Sequence, residues 1–310
     1  MTTPLILVTC RQMQIELTHH QERIESLGYE VLAPDLGERQ HFSARELLDY
    51  SPRLVGIIAG DDELNSDFFD GSPNLKTVIR WGIGMDSVDH DAAARHGVTV
   101  RNTPGVFGAE VADSAFGYIL NLARGYINID SAVRRGEWPK REGLTLAGKR
   151  LGIVGLGTIG LEIAKRGIGF GMEIVAFDPF VNTVPADITI LDLDAVVSTS
   201  RFIVLSCPLT TTTRHLINTE RLSTIYPGAY LVNVARGPVV DEQALVEALK
   251  SGQLAGAALD VFEIEPLPTD SELRYLPNVV LGAHNASNTR EGVSRASSTA
   301  VDFLLEELSL

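Results

Sequence analysis

The run Gly155-Leu156-Gly157-Thr158-Ile159-Gly160 follows directly on the apolar stretch LGIV and opens a helical pattern. In that setting each glycine has a task. The first allows a tight turn, the second lets the backbone approach a pyrophosphate, and the third permits close helix–strand packing, while the helix N-terminus offers N–H groups to the anion. The next apolar run, EIVAF, ends in Asp178, 18 residues after Gly160. A carboxylate there accepts hydrogen bonds from the adenosine ribose hydroxyls and repels a 2′-phosphate, so the pair of signals points to NAD in preference to NADP. On the competing reading the glycines serve packing alone and Asp178 is a turn residue before Pro179.

Three more polar residues stand at or just after later strand-like runs: Arg236 after LVNVA, Glu265 in LDVFEIEP and His284 after VVLGA. Hydride transfer to a ketone needs a proton donor at the carbonyl oxygen, a role that suits a histidine titrating near neutrality. A carboxylate partner orients the imidazole and stabilises its charged form. An arginine clamps a carboxylate or carbonyl with paired donors. Spacing alone does not show that the three meet. His19, His20, His41, His90, His96 and His215 have no comparable setting and are assigned no role.

These residues need strands that stop where chemistry begins, and the chain supplies them. Short apolar runs rich in β-branched residues alternate with helical periods from the start, the pattern of an α/β protein with parallel sheets. The first series predicts strands at Leu5–Val8, Tyr29–Ala33, Val55–Ala59, Lys76–Arg80 and Val98–Arg101, with a helix from about Gln12 to Leu27 stopped by Gly28. A Pro/Gly break at Asn102-Thr103-Pro104-Gly105 precedes a long helical pattern of small and apolar residues from Gly108 to Arg124. The second series predicts six strands: Leu151–Val154, Glu173–Phe177, Phe202–Cys207, Ala229–Ala235, Gly256–Val261 and Val279–Leu281. Asp241 and Gly252 bracket a helix as N-cap and C-cap. Val293, Ala296, Ala300, Phe303 and Leu304 recur at helical spacing in a terminal amphipathic helix. The acidic cluster DDELNSD, Asp61 to Asp67, reads as a solvated loop.

At 310 residues the chain is long enough for two domains with full cores. Lys and Arg number 26 against 40 Asp and Glu, and the resulting net charge of −14 repels nucleic acid and anionic membrane. The two cysteines, Cys10 and Cys207, lie far apart and have no metal-ligand spacing. No metal is expected, and a reducing compartment fits better than an oxidising one. No apolar run approaches the ~20 residues that span a bilayer, and MTTPLILV has no basic segment ahead of its apolar stretch, so neither membrane span nor signal peptide is expected. The predicted location is the cytoplasm.

The sequence resembles the D-isomer-specific 2-hydroxyacid dehydrogenase family, which includes 3-phosphoglycerate, glycerate and D-lactate dehydrogenases. The likeness runs from RWGIGMDSVDHDAAARHGVTVRNTPG through VADSAFGYILNLAR, LAGKRLGIVGLGTIGLEIA, NVARGPVVDEQALVEAL and GAALDVFEIEP to AHNASNT. It implies that Arg236 binds substrate, that Glu265 pairs with the catalytic histidine and that His284 is the acid/base. Glu263 fits the partner role less well, because its motif position is variable in the family. Arg80 to Asp86 resembles the loop whose N–H groups hold the substrate carboxylate, which implicates Arg80, Ile83 and Gly84. Thr158, Ile159, Cys207, Ala235 and Asp260 fall on cofactor-contacting positions, beside Gly155, Gly157, Gly160 and Asp178.

The implied architecture is two doubly wound parallel-sheet domains. A flavodoxin-like substrate domain spans 1–103 and 286–310, and a Rossmann NAD-binding domain spans 104–285 and carries a dimerising helix and arm, so a homodimer is expected. The expected activity is NAD-dependent interconversion of a D-2-hydroxy acid and its 2-oxo acid. Two rivals are D-3-phosphoglycerate dehydrogenase and, from another class, an NADH-sensing binding protein like the family's corepressors, the C-terminal binding proteins. Two departures bear on substrate. Asn285 follows His284 where the family has an apolar residue, and Ala59-Gly60-Asp61-Asp62 stands where the phosphoglycerate enzymes carry an arginine toward phosphate. Acidic residues there disfavour a phosphorylated substrate.

Overall fold

A computed structural model describes residues 3–37, 39–181 and 183–309. The chain forms two compact units, Met1–Phe107 with Asn288–Leu310, and Gly108–Ser287.

The first unit is built on β1 (Leu5–Val8), α1 (Arg11–Glu16), α2 (Gln21–Glu25), β2 (Glu30–Leu32), α3 (Ala44–Leu47), β3 (Leu54–Ala59), α4 (Ser66–Asp70), β4 (Thr77–Arg80), α5 (His90–Arg95) and β5 (Thr99–Asn102). Its five strands are all parallel, in the order β2-β1-β3-β4-β5, the flavodoxin-like order. Every residue of β1 and β4 is buried. Helices cover both faces of such a sheet, which is why its strands read as unbroken apolar runs instead of alternating ones. The single helix expected from Gln12 to Leu27 is instead α1, a 3₁₀ turn at Leu17–His19, and α2. The break falls at Thr18-His19-His20, all poor helix formers, where His20 turns inward.

The acidic cluster is solvated at Asp61, Glu63 and Asp67 but not at Asp62. Asp62 is fully buried and accepts hydrogen bonds from the Thr9 hydroxyl, from Phe42 N at 2.8 Å and from Gly60 N at 2.9 Å, while Asn65 caps α4. Local composition misleads here, because one carboxylate in the cluster finds enough donors to be buried.

The second unit begins with α6 (Gly108–Arg124) and α7 (Tyr126–Arg134). It continues through β6 (Arg150–Val154), α8 (Thr158–Gly169), β7 (Glu173–Phe177), β8 (Ile188–Ile190), α9 (Leu193–Thr199), β9 (Phe202–Leu205), α10 (Thr219–Ser223), β10 (Ala229–Asn233), α11 (Glu242–Lys250), β11 (Leu254–Leu259) and β12 (Val279–Leu281). The sheet has seven parallel strands, ordered β12-β11-β10-β9-β6-β7-β8, a Rossmann arrangement in which order reverses beside β6. The predicted six become seven because β8, three residues long at the edge, has too little pattern to read. Asp241 caps α11 through Ala244 N at 3.0 Å, and Gly252 follows its last turn at φ +76°.

The last helix, α12 (Arg290–Leu308), belongs to the first unit, where Val293, Ala296, Ala300 and Leu304 are buried and it packs on β3 and β4. Arg101 on β5 lies 3.7 Å above the Phe303 ring.

Candidate active site

In the second unit every residue expected to do chemistry lies just beyond the C-terminal end of a strand, where open parallel sheets collect ligands. Gly155 follows β6 at φ +93°, and a Cβ there would lie 2.6 Å from Cys207 N. A Cβ on Gly160 would collide with the Gly155 carbonyl, whereas one on Gly157 meets nothing within 4 Å. Two glycines therefore press the turn against β9 and α8, and the middle one faces open space. Gly157 is the N-cap of the twelve-residue α8 and makes no side-chain cap, so Thr158 and Ile159 open a helix whose first N–H groups await an acceptor.

Asp178, directly after β7, accepts from Leu156 N at 2.8 Å and from Phe180 N at 2.9 Å. Its carboxylate is thereby fixed beside the glycine turn. This cradle fits a dinucleotide: a bare backbone approach at Gly157, an uncapped helix start for the pyrophosphate and a held carboxylate for the ribose. Cys207 is nearly buried, and burial pushes its thiol up to about 11, so it lines the site as a neutral thiol.

On the next strands the geometry brings two predicted partners together. Glu265 Oε2 stands 2.8 Å from His284 Nδ1, and Glu265 Oε1 accepts from Phe262 N at 2.9 Å. The backbone thus aims the carboxylate at the imidazole. Glu263 turns elsewhere: its carboxylate is 2.8 Å from His215 Nε2 and accepts from Glu242 N at 3.3 Å. His284 is one of two non-glycine residues with positive φ among the described residues, at +51°. That conformation is sparsely populated for an L residue and persists only where its surroundings hold it.

Arg236 leaves β10 through a turn made by buried Asn233. The Asn233 side chain accepts from Ala235 N at 3.0 Å and donates to the Arg236 carbonyl at 2.9 Å, and the Arg236 guanidinium donates to the Ala235 carbonyl at 2.9 Å. Asp260, after β11, is 2% exposed, and its carboxylate accepts from Asn285 N at 3.2 Å, Ala286 N at 2.9 Å and the Tyr118 hydroxyl at 2.8 Å. Sequence reasoning passed over Asn233 and Tyr118. A polar residue inside the apolar run LVNVA was the one available signal for Asn233, and nothing in α6 marked Tyr118.

The first unit carries the remaining predicted residues. Arg80 ends β4 with its side chain 6% exposed, and its guanidinium donates to the Asp61 carboxylate and to the Trp81 carbonyl. The turn beyond it is pinned from β5: Thr103 N and Oγ1 donate to the Gly82 carbonyl at 3.0 and 3.2 Å, and Asn102 donates to the Ile83 carbonyl at 2.7 Å. Ile83 is exposed and Gly84 half-buried. Beside this turn lies a cavity of about 540 Å³ lined by Asp61, Glu63, Asp86, Asp89 and His41.

A sequence profile of the D-isomer specific 2-hydroxyacid dehydrogenase family, NAD binding domain, matches residues 116–286. The chain belongs to this family. It is 38% identical over 277 residues to a hydroxypyruvate reductase of Thermotoga maritima, covering 87% of this chain and 90% of that one. It is 42% identical over 257 residues to a glyoxylate reductase of Thermofilum pendens, covering 80% and 76%. Among solved structures, a D-lactate dehydrogenase from Aquifex aeolicus complexed with NAD and lactic acid superposes with a TM-score of 0.83 at 27% identity, covering 98% of this chain and 96% of that one. As a family member the chain is an NAD-dependent oxidoreductase acting on the CH–OH group of 2-hydroxy acids. Among the described residues no helix is long and apolar enough to cross a membrane.

Proposed function

We propose that this dehydrogenase reduces small, unphosphorylated 2-oxo acids to D-2-hydroxy acids, with His284 as the proton donor. The observation that carries the reading is the 2.8 Å contact between His284 Nδ1 and Glu265 Oε2. Reduction of the ketone consumes one hydride, which bound NADH supplies, and one proton. With Nδ1 committed to Glu265, Nε2 is the nitrogen assigned to deliver that proton to the ketone oxygen. Glu265 holds the imidazole in its charged form until then. Oxidation reverses the transfer, with His284 taking the hydroxyl proton.

Arg236 is assigned the substrate carboxylate and carbonyl, and the Ile83 and Gly84 amides the carboxylate. The unit containing residues 1–107 is read as the substrate domain and the unit containing 108–287 as the cofactor domain, with Gly155, Gly157, Thr158, Ile159, Gly160, Asp178, Cys207, Ala235 and Asp260 on the dinucleotide side. The Arg80 guanidinium, already matched by Asp61, brings no unmatched positive charge to a phosphate, and the carboxylates of the neighbouring cavity repel a dianion.

NADH oxidation against glyoxylate, pyruvate, hydroxypyruvate, phenylpyruvate and 3-phosphohydroxypyruvate tests the reading. Turnover of the unphosphorylated acids supports it. Preference for the phosphorylated acid makes the chain a 3-phosphoglycerate dehydrogenase, and silence with tight NADH binding makes it a sensor.

The chain is further assigned to the cytoplasm, where its two free cysteines stay reduced. It is assigned a homodimeric state through α7 and the following arm, whose Tyr126, Ile127 and Trp138 are 51%, 56% and 76% exposed. Light scattering at twice the monomer mass supports the dimer, and a monomer refutes it.

A further inference from the structure

The loop that carries His284 is held from a second direction. Gly282 N donates to the Leu259 carbonyl and His284 N to the Asp260 carbonyl, both at 2.7 Å, and Asn285 N and Ala286 N both reach the Asp260 carboxylate. A buried carboxylate takes its orientation from its donors, and Tyr118 on α6 supplies one of them from its hydroxyl, at 2.8 Å from Oδ1. One helical turn earlier on the same face, Ser114 Oγ donates to the Ala286 carbonyl at 3.0 Å. The fit leaves no slack: a Cβ on Gly282 would collide with both the Asp260 carboxylate and the Tyr118 hydroxyl.

We propose that Tyr118 and Ser114 are positioning residues for His284: they brace its strained loop from α6, Tyr118 through Asp260 and Ser114 directly. Resting on the assignment of His284 as proton donor, this adds what keeps that donor at its station. Burial and the adjacent Asp260 carboxylate push the Tyr118 phenol well above its usual range, so it stays a donor through the working pH range. Without the hydroxyl, Asp260 Oδ1 loses a donor, the carboxylate turns, and the two backbone anchors that directly follow the left-handed His284, Asn285 N and Ala286 N, loosen together. Misplacing a catalytic group by about 1 Å costs up to ~100-fold.

The experiment compares wild type with Tyr118→Phe, Ser114→Ala and His284→Ala for kcat, NADH affinity by fluorescence, thermal midpoint, and the solvent deuterium isotope effect on kcat. In Tyr118→Phe, kcat should fall about tenfold, and the isotope effect should rise because proton delivery becomes more rate-limiting. Ser114→Ala should move the same readouts by a smaller factor, and it carries the test if Tyr118→Phe does not fold. Unchanged kcat and isotope effect in folded variants, whatever the thermal midpoint does, overturn the proposal. If His284→Ala retains turnover, the assignment of the donor fails. If it abolishes turnover while both α6 variants match wild type, the α6 inference alone fails.

Discussion

Each unit joins a carboxylate to a basic side chain just past a strand end, and the two pairs are built for opposite ends. In the first unit Arg80 is buried, permanently charged, and matched by Asp61 and by its neighbour's carbonyl. In the second, His284 and Glu265 keep 33% and 28% of their side chains exposed, and the basic partner sits on a left-handed loop braced from two elements. An arginine cannot release its proton at any working pH, so burying it with a counter-ion makes a fixed charge pair at the end of β4. A histidine can titrate near neutrality, and one left half-exposed beside a carboxylate suits the proton transfer proposed for it. On the proposed function, the difference separates what selects a substrate from what transforms it.

Breaking the second pair should have the largest effect. Glu265→Gln keeps the shape and removes the charge, and reductive kcat should fall roughly 10–100-fold. The sign of the pH effect follows from the role. Reduction needs charged His284, so loss of the carboxylate shifts the fall of reductive activity at rising pH to lower pH. A pH–rate profile parallel to wild type would dissolve the pair as a functional unit.

Asp61→Asn breaks the first pair and should leave kcat on glyoxylate within about twofold, because no proton moves there. It strips a nearly buried guanidinium of its counter-ion at a half-exposed carboxylate, so a loss of about 1–2 kcal/mol, discounted for solvent screening, is expected in denaturant unfolding. The same variant should raise turnover of 3-phosphohydroxypyruvate relative to glyoxylate, and an unchanged ratio would take Arg80 and Asp61 out of substrate selection.

The smallest effect concerns Asp62, behind the first pair. Burial pushes its carboxyl above the usual range, against the pull of the Phe42, Thr9 and Gly60 donors. A raised native pKa contributes stability that is full below the unfolded value of ~3.9 and is lost as pH rises through the native value. The stability gap between wild type and Asp62→Asn should therefore be widest in acid and narrow with rising pH. A gap that widens would mean the three donors outweigh burial.

Much of this was legible in the chain. The alternation of β-branched runs with helical periods named both sheets, because strands covered on both faces must be apolar throughout. The glycine motif with Asp178 marked the candidate cofactor cradle, because all its parts lie within one local βαβ unit. What escaped were features with little local pattern: the three-residue β8, the break at His20, and the burial of Asp62 inside a cluster whose composition is that of a surface. Tyr118, Ser114 and Asn233 escaped for a related reason, since a polar side chain on a helix or in a strand acquires its meaning from what another element sets against it.

By itself, then, the sequence determined the fold class and the family, since periodicity and motif spacing are local properties of a chain, and it marked Arg236, Glu265 and His284 as candidates. Only the tertiary structure gave the implied Glu265–His284 pair its 2.8 Å contact and turned Glu263 to His215, set Asp61 against Arg80, and brought Tyr118 and Ser114 of α6 to Asp260 and the Ala286 carbonyl. Those contacts join residues from 19 to 172 positions apart. Hydrogen bonds of about 3 Å between such residues exist only once packing has brought their strands and helices together.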